Sequence, residues 1–239
     1  MSYLYVVDDD RYSRDSVVGL GESMGLTCQA FDSADALLRA PTLKRPGCLV
    51  LDIMLEGMSG IDLQSRLAQE YNSIPVIMMS GYADVSVAVQ CMEAGAVTLI
   101  EKPSDPRRLE RAIREGLQRD QKQQKEAARF QELSEHVGTL TSREQRVLDQ
   151  VVHGRLNKSI ARELDVSVRT VEGDRAKILK KFNAATATEL ASMVTEHDLL
   201  EKQRRGGVAG ARGSSSPWTP RAPQRESAHR SNEIAHSHC

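Results

Sequence analysis

Five polar residues stand directly after, or at the end of, short apolar runs: Asp8 and Asp9 after the first, then Asp52, Ser80 and Lys102 after later ones. Carboxylates gathered in one crevice repel unless a hard cation compensates them, and oxygen ligands with room for water suit Mg²⁺. A lysine offers a point charge and a hydroxyl offers a donor, which is what a phosphoryl oxygen requires. These residue types describe cation-assisted phosphoryl chemistry, provided that a fold brings them together. Singly, each is ordinary: Asp8 to Asp10 form a solvated turn, Ser80-Gly81 another, and Lys102 before Pro103 is a loop lysine.

The elements that must position them follow from periodicity. Apolar runs at Tyr3 to Val7, Thr27 to Phe31, Cys48 to Leu51, Pro75 to Met79 and Val97 to Ile100 are each too short for a helix. Between them lie amphipathic segments of helical period over about 12–24, 33–40, 61–71 and 84–94, with Gly25 and Gly95 as C-terminal caps. Strand and helix in alternation predict a parallel sheet covered on both faces. In such a doubly wound sheet ligands bind outside the carboxyl ends of the strands, where the five polar residues stand.

Residues 1 to about 120 resemble the receiver domain of two-component response regulators. The matching segments are VVDDD at 6–10, LDIMLEGMSG at 51–60, MMSGYADV at 78–85 and IEKP at 100–103. The resemblance implies a flavodoxin-like (βα)5 fold with strand order 2-1-3-4-5 and Asp52 as phosphoacceptor. It further implies Mg²⁺ held by Asp8, Asp9, Asp52 and the main-chain carbonyl of Met54, with Lys102 pairing with the phosphoryl group and Ser80 sensing it. Two positions depart from the pattern. Leu99 stands where the family usually has a switch aromatic, which leaves Tyr82 as an alternative reporter, and Glu56 stands where it usually has proline.

Two other readings of the same residues remain open. Asp8-x-Asp10 after a strand, with Ser80 and Lys102, also suits a Mg²⁺-dependent phosphatase of the haloacid dehalogenase type, although no later acidic pair completes that metal site. A receiver-like module that regulates through protein contacts without phosphorylation is the other.

The rear of the chain carries a second pattern. A helix starts at Asp105-Pro106, an N-cap followed by proline at the first helical position, and continues into a Gln-, Lys-, Glu- and Arg-rich stretch that reads as a solvated helical linker. Thr141 to Glu144 form a capping box, and helices over Asn157 to Leu164, Ser167 to Phe182 and Ala187 to Leu200 follow. Residues 139–195 resemble the LuxR-type four-helix DNA-binding domain of FixJ-like and NarL-like regulators, through LTSREQRVL at 140–148, Gly154, Asn157-Lys158, Ile160-Ala161, Leu164, Val166-Ser167 and Thr170-Val171-Glu172. By that resemblance Glu172, Gly173 and Ala176 face base edges, and Lys158, Arg169, Thr170, Arg175, Lys177 and Lys180 are phosphate or groove contacts. Ile160, Ala161, Leu164, Val171, Ile178 and Phe182 are core by spacing. Asp174, where the family often has histidine, adds an anion expected to repel phosphate. A helical protein-interaction module with merely solvated basic residues is the alternative for this region.

Composition fits this division. The 239 residues, 40 % apolar and 27 % charged, bound the chain to one or two globular domains and exclude collagen-like, mucin-like and wholly disordered classes. The net charge of −1 conceals a gradient: twelve basic against eighteen acidic residues over 1–120, balance over 121–201, and seven against two over 202–239. Cys28, Cys48, Cys91 and Cys239 form no C-x-x-C, and the first three read as buried thiols. No run approaches the roughly 20 apolar residues of a membrane span, and the N-terminus lacks the pattern of a signal peptide, so a cytoplasmic protein is expected.

The domains expected are a receiver over 1–118, a helical linker over 119–138, a LuxR-type domain over 139–201 and a disordered basic tail over 202–239. The expected function is a transcription factor controlled by phosphorylation of Asp52, acting on its own aspartate and on no external substrate. Its partners would be a sensor histidine kinase, double-stranded DNA, a second copy of the chain when phosphorylated, through the face of Val85, Val89, Met92 and Leu99, and RNA polymerase, with no membrane.

Overall fold

The computed structural model describes residues 1–69, 74–82 and 84–206. Five strands, β1 (Tyr3–Val7), β2 (Thr27–Phe31), β3 (Gly47–Asp52), β4 (Val76–Ser80) and β5 (Thr98–Glu101), form one parallel sheet in the order β2-β1-β3-β4-β5. The helices between them are α1 (Arg11–Ser23), α2 (Ala34–Leu38), α3 (Gly60–Gln69) and α4 (Val85–Glu93). Gly25 and Gly95, at φ of 76° and 89°, take the left-handed conformation that ends α1 and α4.

Side chains alternate across the sheet and build two cores. Leu4, Val6, Cys48, Val50, Ile77 and Ile100 meet Val17 of α1 and Leu109, Ile113 and Leu117 of α5 (Pro106–Gly138). Tyr5, Val7, Leu49, Leu51 and Met78 meet Leu37 of α2, Leu63 and Leu67 of α3 and Cys91 of α4. β1, β3 and β4 are buried on both faces, which explains their unbroken apolar runs, whereas the edge strand β2 leaves Gln29 and Ala30 exposed. Leu99 packs against the second of these cores. The thiols of Cys48 and Cys91 are buried, and burial pushes the Cys48 thiol upward, whereas Cys28 is half-buried rather than fully enclosed.

The chain divides into two compact units, Met1–Gln131 and one beginning at Glu132, and the division falls inside a single helix, α5 (Pro106–Gly138). The stretch expected to be a solvated linker is anchored at two points. Asp120 is fully buried in the first unit, where Arg45 Nε donates to Oδ2 at 2.9 Å, Arg45 Nη2 donates to Oδ1, and the Gly47 N–H donates to Oδ2 at 2.7 Å. Leu133 is fully buried in the second, and the His136 ring lies 5.5 Å from that of Phe182.

The second unit contains α6 (Ser142–Val152), α7 (Asn157–Leu164), α8 (Val168–Lys181) and α9 (Ala187–Gly206) around Val147, Leu148, Ile160, Val171, Ile178, Phe182 and Leu190. The Thr141 to Glu144 capping box is formed, and Ser167 caps α8 through the Thr170 N–H. α9 runs to Gly206, so residues 202–206, expected in a disordered tail, are helical; an Arg205–Glu201 pair at 2.7 Å bridges its last turns. The remainder of that tail, with Cys239, lies outside the described residues. Among the described residues no helix is long and apolar enough to cross a membrane.

Candidate functional site

The parallel sheet delivers Asp8 past the end of β1, Asp52 to the last position of β3 and Lys102 past the end of β5. Asp8, Asp9 and Asp52 each offer a carboxylate oxygen, and these atoms lie within 4.8 Å of one another. Asp8 and Asp52 are buried and Asp9 is exposed. Lys102 Nζ donates to Asp8 Oδ2 at 2.6 Å and to Asp52 Oδ2 at 2.5 Å. Burial opposes the lysine's charge, but the bonds to Asp52 and then Asp8 outweigh it and raise the pKa above the ordinary 10.5.

Asp52 Oδ1 accepts from the Met54 N–H at 3.1 Å, which fixes the carboxylate against the loop after β3. That loop returns closely: a side chain on Gly60 would place its Cβ 2.0 Å from the Asp52 carbonyl oxygen. Glu56 is exposed on the same loop and is not one of the clustered carboxylates.

Ser80 is also buried, but its hydroxyl is not on the carboxylates. It donates to the Tyr82 carbonyl at 2.5 Å and accepts from the Tyr82 N–H at 3.2 Å, while the Ser80 carbonyl accepts from the Lys102 N–H at 2.7 Å. Tyr82 itself is 82 % exposed.

Two residues not singled out from the sequence complete the surroundings. Ser13 Oγ donates to Asp8 Oδ2 at 2.6 Å, and Arg14 Nη1 donates to the Asp8 carbonyl at 2.5 Å. Both face the site because Asp10 caps α1, accepting from the Ser13 N–H at 2.7 Å, and so folds the first turn of the helix back over Asp8. Asp10 is therefore a helix cap and not a member of the carboxylate cluster, contrary to the Asp8-x-Asp10 phosphatase reading.

In the second unit, Arg169, Glu172, Gly173, Ala176, Lys177 and Lys180 are exposed, and their spacing places them along one face of α8. Lys158 is exposed on α7, while Thr170 and Arg175 are half-buried at the edges of the α8 face. Asp174 does not share that face. It is 2 % exposed and accepts from Arg143 Nε at 2.8 Å and Nη2 at 3.1 Å, so it is an intramolecular ion-pair partner rather than an anion presented to phosphate. The core turn of this unit is closed by Lys181, which donates to Glu144 at 2.7 Å and to the Thr139 carbonyl at 2.8 Å.

Comparison with known proteins agrees with both halves. Residues 4–114 match the response regulator receiver domain family, and residues 138–194 match the bacterial regulatory proteins of the luxR family. The chain is 35 % identical to the transcriptional regulatory protein FixJ of Bradyrhizobium diazoefficiens over 83 % of its own length and 97 % of that protein. It is 38 % identical to the response regulator protein TodT of Pseudomonas putida over 84 % of its length and 88 % of that protein. Among solved structures, the response regulator StyR aligns with a TM-score of 0.74 at 34 % identity, covering 82 % of this chain and 98 % of that one. With two successive domain families matched and near full-length relatives in hand, the chain belongs to the two-component response regulators that join a receiver to a LuxR-type DNA-binding domain, the FixJ-like regulators whose control of transcription depends on phosphorylation.

Proposed function

We propose that Asp52 is the phosphoacceptor of this regulator and that its modification controls DNA binding by α8. The observation that carries the reading is the bridge of Lys102 Nζ to Asp8 and Asp52, a cation already seated where negative charge is to be added. An Asp52 oxygen attacks the phosphorus of a phosphohistidine on a sensor kinase; the O–P bond forms, the P–N bond breaks, and the imidazole leaves with a proton. Lys102 then pairs with the new phosphoryl oxygens, and Asp8 is held in orientation by Ser13 and Arg14.

The carboxylate donor set is all oxygen and close enough to share one hard divalent ion, so it fits Mg²⁺. Asp8, Asp9, Asp52 and the Met54 carbonyl would hold it, and the ion would supply charge neutralisation at the phosphoryl oxygens.

The aspartyl phosphate adds roughly two negative charges and new acceptors, which can draw the Ser80 hydroxyl away from the Tyr82 carbonyl. The adjoining α4 exposes Val85, Val89 and Met92, the apolar face expected to bring two copies together; Leu99, half-buried against the core, contributes little to it. Paired copies would set two α8 helices on adjacent half-sites of double-stranded DNA, Glu172, Gly173 and Ala176 toward base edges and Lys158, Arg169, Thr170, Arg175, Lys177 and Lys180 toward the backbone. RNA polymerase is a further partner in that setting.

The test is incubation with Mg²⁺ and a small phosphodonor followed by intact mass. One phosphoryl adduct in the parent and none in Asp52→Asn is expected. An adduct that survives Asp52→Asn overturns the assignment.

A further inference from the structure

We propose that Arg143, at the start of α6, is a DNA phosphate contact whose guanidinium is aimed by the buried carboxylate of Asp174. The proposal rests on the reading of this unit as DNA-binding. It adds a residue that lies on neither the exposed face of α8 nor α7.

Asp174 sits on the core side of α8, and among the described residues its partners are cations at the rim. Arg143 engages both oxygens through a two-bond fork, and Lys177 Nζ stands 4.0 Å from Oδ1. One buried carboxylate thus gathers a cation from each of two helices, leaving a net positive charge on the surface. Both cations remain open to solvent, with side chains 53 % and 65 % exposed. A guanidinium has five N–H groups, and the fork uses one edge of it, so the remaining donors are free to meet a second acceptor.

The location follows from helical spacing. Thr170, Asp174 and Lys181 form a row beside the exposed face of α8, bordering Lys177 at the edge of that face. When a recognition helix lies in the major groove, its flanks face the sugar-phosphate walls and not the base edges. Lys181 in that row is already engaged by Glu144 and the Thr139 carbonyl, whereas among the described residues Arg143 bonds to Asp174 alone. A long side chain fixed in this way loses little freedom when it meets phosphate, which is the advantage that a pre-positioned fork gives over a mobile surface arginine.

The experiment titrates the full chain with a short mixed-sequence duplex over a range of salt. Neutralising one phosphate contributes about 0.9 to the slope of log K against log[salt], so folded Arg143→Ala should lose about that much, with roughly tenfold weaker binding. Arg143→Lys should keep the slope and recover part of the affinity. Asp174→Asn should keep the slope but bind more weakly, because the guanidinium loses its anchor. A folded Arg143→Ala with the parent's slope overturns the proposal.

Should Arg143→Ala not fold, arginine-specific dicarbonyl labelling of the parent decides: suppression at Arg143 by the duplex, with Arg11 unaffected, is expected, and equal labelling with and without DNA overturns the assignment. A parent chain with no salt-dependent duplex binding would instead sink the DNA-binding reading itself.

Discussion

Lys102 Nζ stands 2.5 Å from Asp52 Oδ2 while also holding Asp8, so a single ammonium group ties the ends of β1 and β3 together. Removing it leaves two buried carboxylates facing each other. Lys102→Met should lower the stability of the receiver by about 2–3 kcal/mol, the loss of one partner from a mostly buried pair discounted for partial exposure. Mg²⁺ should stabilise this variant more than the parent, because the ion takes over the missing compensation. Urea denaturation with and without Mg²⁺ measures both, and an equal gain in the two proteins would contradict the shared-charge account.

Gly60→Ala tests how tightly the loop after β3 is folded onto the end of that strand, where Asp52 stands. The added Cβ would lie 2.0 Å from the Asp52 carbonyl oxygen and 2.9 Å from Ile53 Cα, both main-chain atoms. Alanine's better helix propensity at the start of α3 is worth at most about 1 kcal/mol. The overlap is larger, so the expectation is a destabilisation of about 3 kcal/mol with reduced phosphoryl incorporation at Asp52. Chemical denaturation and intact mass on the same sample read both consequences.

Acid should loosen the second unit in a defined window. The Lys181 ammonium, followed by the Thr141 N–H, holds the Glu144 carboxyl down at about 2 instead of 4.5. A carboxylate depressed in the folded state stabilises fully above its ordinary value and loses that contribution as pH falls from 4.5 toward about 2. Glu144→Gln should cost about 1–2 kcal/mol at neutral pH, after allowance for the half-exposed lysine, and flatten the acid slope. The difference between parent and variant denaturation curves along that pH range isolates the group.

Gly173 is a helical glycine with open space around it: an added Cβ meets nothing within 4 Å. Gly173→Ala should therefore raise the stability of this unit by about 0.5–1 kcal/mol through lower chain entropy alone. A thermal melt shows the gain, and a loss would mean that α8 is not a regular helix at this position.

The acidic site was legible because a parallel sheet places the residue after each strand on one edge, so Asp8, Asp52 and Lys102 needed only strand ends to be brought together. Ser13 and Arg14 were not, since on α1 they resemble solvated positions; the Asp10 cap that turns the helix over Asp8 was the available signal. Asp174 was misjudged from its charge, although its spacing from Val171 and Ile178 already placed it on the core face of α8. Asp120 could not be found at all. Its partners Arg45 and Gly47 lie in a loop before β3, and no local pattern in a Gln- and Lys-rich helix distinguishes a buried aspartate from an exposed one.

That aspartate also decides where the protein can be divided. A receiver cut after residue 118 keeps every strand together with Asp8, Asp9, Asp52, Ser80 and Lys102, yet removes the buried carboxylate that accepts from the Arg45 guanidinium and the Gly47 N–H. One carried through Gln124, whose side-chain amide also donates to Asp120 at 3.0 Å, keeps the plug in place. The first compact unit thus ends inside the helix that leads out of it, and excision at residue 118 would yield a weakened unit that still carries Asp8, Asp52 and Lys102.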